Sequence, residues 1–186
     1  MNGYKKTNLK IKSEGINKNN LFCIKTKFIV VIIIILLFLL CRQRVFTVFD
    51  QNENVVKYIQ KVNIGDKIEF NYIHSVSKTP ITETLEIQNG VLALNKVEYI
   101  DQGGAGMPEF PRGKEVFEVK DGKYIISNFD RKFKQIPIRV QEDYKDELTL
   151  NNENIKLYQI IENNKVALIE TKKVPFIMYI YYKFRR

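Results

Sequence analysis

Thirteen consecutive apolar residues, Phe28 through Leu40, constrain this chain more than any other feature. Isoleucine, valine and leucine fill every helical face of the run, so it has no polar face of the kind a surface helix turns to water. At about 1.5 Å per residue the run reaches only about 20 Å, short of a hydrocarbon core of roughly 30 Å. Its neighbours extend it. Leu21, Phe22, Cys23 and Ile24 are apolar, and the stems of Lys25 and Lys27 are long enough to carry their ammonium groups to the headgroups. Residues 21–41 therefore read as a transmembrane helix.

A basic start followed by an apolar run also fits a cleaved signal peptide. Cleavage needs small residues after the run, yet no Ala, Gly or Ser lies between Gly15 and Gly65. Cys41 suggests a lipoprotein site, but Leu40 precedes it where a small residue is expected. An uncleaved signal anchor is the better reading. Seven lysines precede the run against Glu14 alone, which predicts a cytoplasmic N-terminus and an exported C-terminal part. Arg42 and Arg44, just beyond it, pull weakly the other way.

The formal charge of +9 would suit nucleic acid if it were spread over a folded domain. It is not. Residues 1–44 carry nine Lys/Arg and one Glu, a net of +8, whereas residues 45–186 carry a net of +1. The basicity is a topology signal and an attraction to anionic lipid, and no nucleic-acid partner is expected. The two cysteines, Cys23 and Cys41, bracket the apolar run and cannot pair with each other across a bilayer. The part beyond them must fold without disulfides.

Residues 1–20 are Asn- and Lys-rich without hydrophobic period and read as a disordered cytoplasmic tail. Residues 42–54 read as a stalk, and residues 55–186 as one exported domain. In that domain Lys67–His74 alternates with period two, Ile68, Phe70 and Tyr72 on one face and Glu69 and Asn71 on the other. Thr82–Ile87 does the same. Asn89-Gly90 follows as a type I′ hairpin signal, both central residues needing positive φ. Asp121-Gly122, Asn151-Asn152 and Asn163-Asn164 separate further strand-like runs, and Pro137 makes Gln135–Val140 an edge strand. About eight to ten short strands with no long helix after residue 41 predict an all-β antiparallel sandwich or barrel. Residues 174–186 are too short to span a bilayer. They read as a final core strand or, given their tyrosines and Lys183, Arg185 and Arg186, as an interfacial patch against lipid.

Two segments carry the chemistry. Tyr72–Glu83 holds the only histidine, and Asp101–Lys114 is a fourteen-residue loop with four glycines and two prolines. Structureless loops of that length are often functional. At these residues the chain resembles the bacterial domain of unknown function 1850. The resemblance rests on His74-Ser75-Val76 ending a strand, Pro80 and Glu83 a few residues on, and the loop Gly104-Ala105-Gly106-Met107-Pro108, and it spans roughly residues 55–172. It implies no established activity. It does imply context, because such proteins are similar to those encoded beside tripartite carboxylate transporters of the TAXI type. A transport accessory, with a membrane transporter component as partner, is what the resemblance suggests.

Read directly, His74 has Ser75, Ser77, Thr79 and Thr82 as nearby hydroxyls, and Glu83 or Glu86 could orient the imidazole, which is the outline of a nucleophilic hydrolase. Ser75 follows His74 and would point to the opposite strand face. The alternative is that His74 shapes its loop. One histidine and no exported cysteine exclude the usual zinc sets, Asp101 and Glu109 lack calcium-loop spacing, and Pro108 and Pro111 oppose the helix that a nucleotide-binding glycine loop needs. No metal or cofactor is expected. Glycine-loop N–H groups with Arg112 and Lys114 could nest an anion such as a carboxylate or phosphate. The expected recognition surface is His74, Ser75, Glu83, Gly104, Gly106, Glu109 and Arg112, with an exported hydrolase and a structural envelope protein as the rival functions.

Overall fold

The computed structural model describes residues 18–100 and 111–185, with side chains from Lys27 onward. The chain divides into two units between Leu40 and Cys41. The first contains helix α1 (Lys18–Leu40). Among the described residues no helix is long and apolar enough to cross a membrane. From Phe28 to Phe38 every α1 residue is roughly half exposed or more, whichever way its side chain points.

The second unit is built from eleven described strands in two antiparallel sheets. They are β1 (Arg42–Asp50), β2 (Val55–Lys61), β3 (Lys67–Ile73), β4 (Pro80–Ile87), β5 (Leu92–Ile100), β6 (Val116–Lys120), β7 (Lys123–Phe133), β8 (Gln135–Arg139), β9 (Glu147–Leu150), β10 (Glu153–Lys156) and β11 (Val166–Pro175). Two further helices are α2 (Leu157–Ile160) and α3 (Phe176–Phe184). The smaller sheet runs β2-β1-β11-β8 and the larger runs β10-β9-β3-β4-β5-β7-β6. Phe46 and Val48 of β1 and Ala167 and Ile169 of β11 share one apolar core with Ile68, Leu85, Leu92, Ile126, Leu148 and Leu150 of the larger sheet. Two sheets with a shared inner face make the arrangement of a β-sandwich.

Residues 42–50, expected within a stalk, are β1, a central strand between β2 and β11. Its two charged leading residues disguise it, and it lacks alternation because it is buried on both faces. Phe46 and Val48 face the core, while Val45 packs outward with Ile59 and Val174 under Tyr179 and Tyr182 of α3. The β1–β2 turn is held by Asp50, whose Oδ1 accepts the backbone N–H groups of Asn52 and Glu53 at 2.9 and 3.0 Å.

The tail beyond Pro175 is a helix, not the final core strand its composition suggested. Aromatic and β-branched residues favour strands, but here Phe176, Tyr179 and Tyr182 fall at helical spacing, and the latter two cover Val45, Ile59 and Val174. No residue of α3 is fully buried.

The turns sort by backbone sign. Asp121-Gly122 (φ +52° and +74°) and Asn151-Asn152 (+51° and +66°) both have positive φ at two central residues, as type I′ requires. Asn89-Gly90 does not: only Gly90 is positive, at +81°, and the connection spans Gln88 to Val91, closed by Gln88 N–H donating to Val91 O at 3.0 Å. Pro137 lies on β8, an edge strand of the smaller sheet, as its missing donor demands.

Candidate functional site

The site is built on the β3–β4 hairpin. Ile73 pairs with Pro80, leaving His74 to Thr79 as the connection. His74 closes it at both levels. Its backbone N–H donates to Thr79 O at 2.9 Å, and its carbonyl accepts from Lys78 N–H at 3.0 Å. Its Nδ1 accepts the Ser77 backbone N–H at 3.3 Å and lies 3.0 Å from Ser77 Oγ, which in turn lies 2.8 Å from Thr79 Oγ1. Because an N–H can only donate, Nδ1 presents its lone pair to Ser77, and the neutral ring carries its proton on Nε2. Ser75 is exposed in the turn and is not the hydroxyl His74 meets; Ser77, three residues on, is.

Neither expected carboxylate orients the imidazole. Glu83 pairs across the ladder with Phe70, four residues from His74, which is about 13 Å of strand. Its Oε1 accepts from the Tyr72 hydroxyl at 2.9 Å. Glu86 sits further off, opposite Lys67, and accepts from Asn95 at 3.3 Å. Among the described residues no carboxylate bonds to His74.

Tyr72 and Glu83 share the core-facing side of the sheet, since Phe70 pairs with Glu83 and Tyr72 with the buried Ile81. Burial pushes the Glu83 carboxyl above its ordinary range, against the opposing pull of the Tyr72 hydroxyl and the Arg131 charge. Burial, the Glu83 charge and, more weakly, Asp146 push the Tyr72 hydroxyl up as well, so it stays a donor throughout the physiological range. On the opposite face Thr82 Oγ1 donates to Asn71 Oδ1 at 2.8 Å. A cavity of about 200 Å³ opens here, lined by Asn71, Tyr72, Thr82, Lys145 and Glu147 among others. Beside it Asp146 is buried and accepts from Gln141 N–H at 2.9 Å, its carboxyl raised by that burial.

The end of the glycine-rich loop joins through charge. Glu115 accepts the Arg112 backbone N–H at 3.0 Å and the Arg131 guanidinium at 3.2 Å. Arg131 also lies over the Phe129 ring at 5.1 Å and keeps about half of its side chain exposed. Gly113, with φ +63°, permits the turn from Arg112 to Glu115. Arg131 thus pairs with Glu115, which fixes the loop end, and its charge draws the Glu83 carboxyl downward against the effect of burial. Gly104, Gly106 and Glu109 lie outside the described residues, so the expected meeting of His74 with the glycine run has no geometry here. Sequence reasoning singled out Glu83 and Arg112 but missed Tyr72 as a partner, and Arg131 and Glu115 altogether. Tyr72 was visible in the strand alternation; Arg131 depends on a β5–β7 register that shifts between Leu94 and Lys96. Among the described residues no group of three or more His, Cys, Asp or Glu side chains is placed to hold a metal ion.

Residues 68–157 match a family model described as Domain of unknown function (DUF1850). No curated protein and no solved structure matches the chain. The match is shorter than the span of the resemblance noted above. It begins one residue into β3 and ends at the start of α2, so it takes in all seven strands of the larger sheet and, of the smaller, β8 alone. The segment that builds the larger sheet and carries Tyr72, His74, Glu83 and Arg131 is therefore the part of the chain that matches the DUF1850 family model.

Proposed function

We propose that this protein is a membrane-anchored, extracytoplasmic binding module, accessory to a tripartite carboxylate transporter of the TRAP (TAXI) type. Residues 21–41 serve as the uncleaved anchor, with the N-terminus cytoplasmic and the β domain outside. The apolar run, the lysine excess before it and the near-neutral, cysteine-free remainder support this topology. The transporter association rests on the DUF1850 resemblance alone.

The observation that carries binding over catalysis is how His74 is used. Its Nδ1 is committed to the loop that contains it, while Glu83 and Glu86 are committed to Tyr72 and Asn95. What the domain offers a partner is the half-exposed Arg131 and Arg112 at the end of the glycine loop. A half-exposed guanidinium suits an anionic ligand such as a carboxylate.

Affinity capture of the full chain from solubilised membranes tests the reading. Wild type should retain a transporter membrane component, and Arg131→Ala should lose it while keeping the fold. A wild-type chain that retains no such component removes the proposal.

One distance favours a second reading, an exported hydrolase. Ser77 Oγ stands 3.0 Å from His74 Nδ1, within reach for proton transfer. Short activated esters would be the substrates to try. Turnover abolished by Ser77→Ala and untouched by Arg131→Ala would install the hydrolase in place of the binding module.

A further inference from the structure

The helix α3 packs one side against the smaller sheet and leaves the other uncovered. Tyr179 and Tyr182 turn inward over Val45, Ile59 and Val174. Ile177, Met178, Tyr181 and Phe184 turn outward, 49%, 41%, 53% and 81% exposed. Their spacing places them along one helical stripe. Four large apolar side chains in a row on a nine-residue helix are not the scattered single exposures usual on a soluble surface.

We infer that this stripe lies in the headgroup boundary of the bilayer that holds α1. The inference rests on the membrane-anchor reading of residues 21–41. Three observations select lipid as the occupant. First, α3 starts where the apolar run stops. The Phe176 backbone N–H donates to Cys41 O at 2.9 Å, and Arg42 pairs with Pro175, so the first residue of α3 is hydrogen-bonded to the residue that follows Leu40. An anchor that leaves the bilayer at Leu40 delivers α3 to the surface with no linker to lift it away. Second, the charge is one-signed. Beyond Lys172, which pairs with Glu170, the chain carries Lys173, Lys183, Arg185 and Arg186 and no acidic residue, as attraction to anionic headgroups requires. Third, two tyrosine hydroxyls of α3 meet cations in exposed pairs. Arg185 donates to the Tyr181 hydroxyl at 2.7 Å and Lys183 to that of Tyr179 at 3.2 Å. Tyrosine with an adjacent cation is the amphipathic combination that headgroup level favours over either hydrocarbon or water.

The consequence is an orientation. The smaller sheet turns its α3-covered face to the lipid, and the DUF1850 sheet, with Tyr72, Glu83 and Arg131, becomes the layer distal to the membrane.

The chain contains no tryptophan, so one introduced residue reports one place. The full chain is reconstituted into phosphatidylethanolamine/phosphatidylglycerol liposomes, with brominated or ordinary acyl chains, carrying Phe184→Trp, Ile177→Trp, Leu36→Trp or Val119→Trp. Val119 is exposed on β6 of the other sheet and serves as the control. Trp at 184 and at 177 should be blue-shifted and lose much of its emission in brominated lipid, and Trp at 119 should not. Quenching at 36 but not at 184 or 177 overturns the inference and leaves the anchor standing. Unquenched but blue-shifted emission at 184 overturns it in favour of a protein neighbour, a second copy included. Quenching at 184 and 177 without quenching at 36 upholds the lipid-facing helix and removes the anchor. Absence of quenching at every position removes both.

Discussion

Glu83 is a carboxyl that the fold holds at a cost. Its raised pKa comes first from burial, only partly offset by the Tyr72 hydrogen bond and the Arg131 charge. A carboxyl whose folded pKa exceeds its unfolded one keeps its proton longer when folded. The stability linked to it is complete below the unfolded pKa and is lost as pH rises through the folded pKa. Glu83→Gln keeps an acceptor for Tyr72 and removes the charge. It should raise stability at neutral pH by roughly 1 kcal/mol and flatten the decline from the carboxylate range upward, read by urea denaturation across that range. Tyr72→Phe should act the other way, costing about 1–2 kcal/mol at neutral pH and moving the Glu83 carboxyl resonance titration higher still. His74 answers to a different test. If its role is to accept the Ser77 N–H, His74→Ala should cost about 1 kcal/mol by thermal unfolding, and His74→Asn, whose side-chain oxygen can take a nearby N–H, should recover part of it. Equal losses for both variants would mean that the acceptor is not what matters.

At the scale of elements, β1 decides whether there is a domain at all. It lies between β2 and β11 and supplies Phe46 and Val48 to the core and Val45 to the α3 side. Phe46→Ala should cost about 3–5 kcal/mol, and a chain lacking residues 42–50 should not fold, by circular dichroism and protease resistance. A spacer would tolerate the deletion. This element was illegible because sequence patterns announce strands with one wet face. Lys67–Ile73 and the run ending at Ile87 have such faces and read correctly, as did Asp121-Gly122 and Asn151-Asn152, whose positive φ only small or amide-bearing side chains accept readily. β1 is covered on both sides, the second cover being α3, an element about 130 residues later that composition disguised as a strand. The site divides in the same way. His74 and Glu83 stood out by type, but that they are not partners follows from register, since Glu83 lies opposite Phe70 rather than His74. Arg131 and Glu115 meet across sixteen residues of chain in which the sequence marks the Asp121-Gly122 turn but not this pairing.

For the whole molecule, the charge asymmetry and the cysteine positions make the proposed topology testable without altering the fold. Seven lysines against Glu14 alone, a net of +6, precede the apolar run, while Arg42 and Arg44 follow it and the remainder is close to neutral, so the charge excess lies on the N-terminal side. Cys23 and Cys41 bracket that run, and Cys41 is a free, exposed thiol. Beyond Cys41 the chain has no cysteine, so labelling cannot arise from the β domain. In intact cells with a permeable outer envelope, a membrane-impermeant maleimide should modify the Cys23→Ser chain through Cys41. It should leave the Cys41→Ser chain unmodified until the membrane is lysed. Proximity of α3 to Cys41 through the Phe176 hydrogen bond sharpens the expectation. If α3 lies in the headgroups, Cys41 sits at their depth and should react slowly in membranes. Phe184→Asp, which places a negative charge on the exposed stripe, should speed that labelling by weakening contact with anionic lipid while leaving the packed face of α3 intact. Labelling of Cys23 before lysis reverses the topology. Rapid labelling of Cys41 that Phe184→Asp does not change keeps the topology and takes α3 off the lipid.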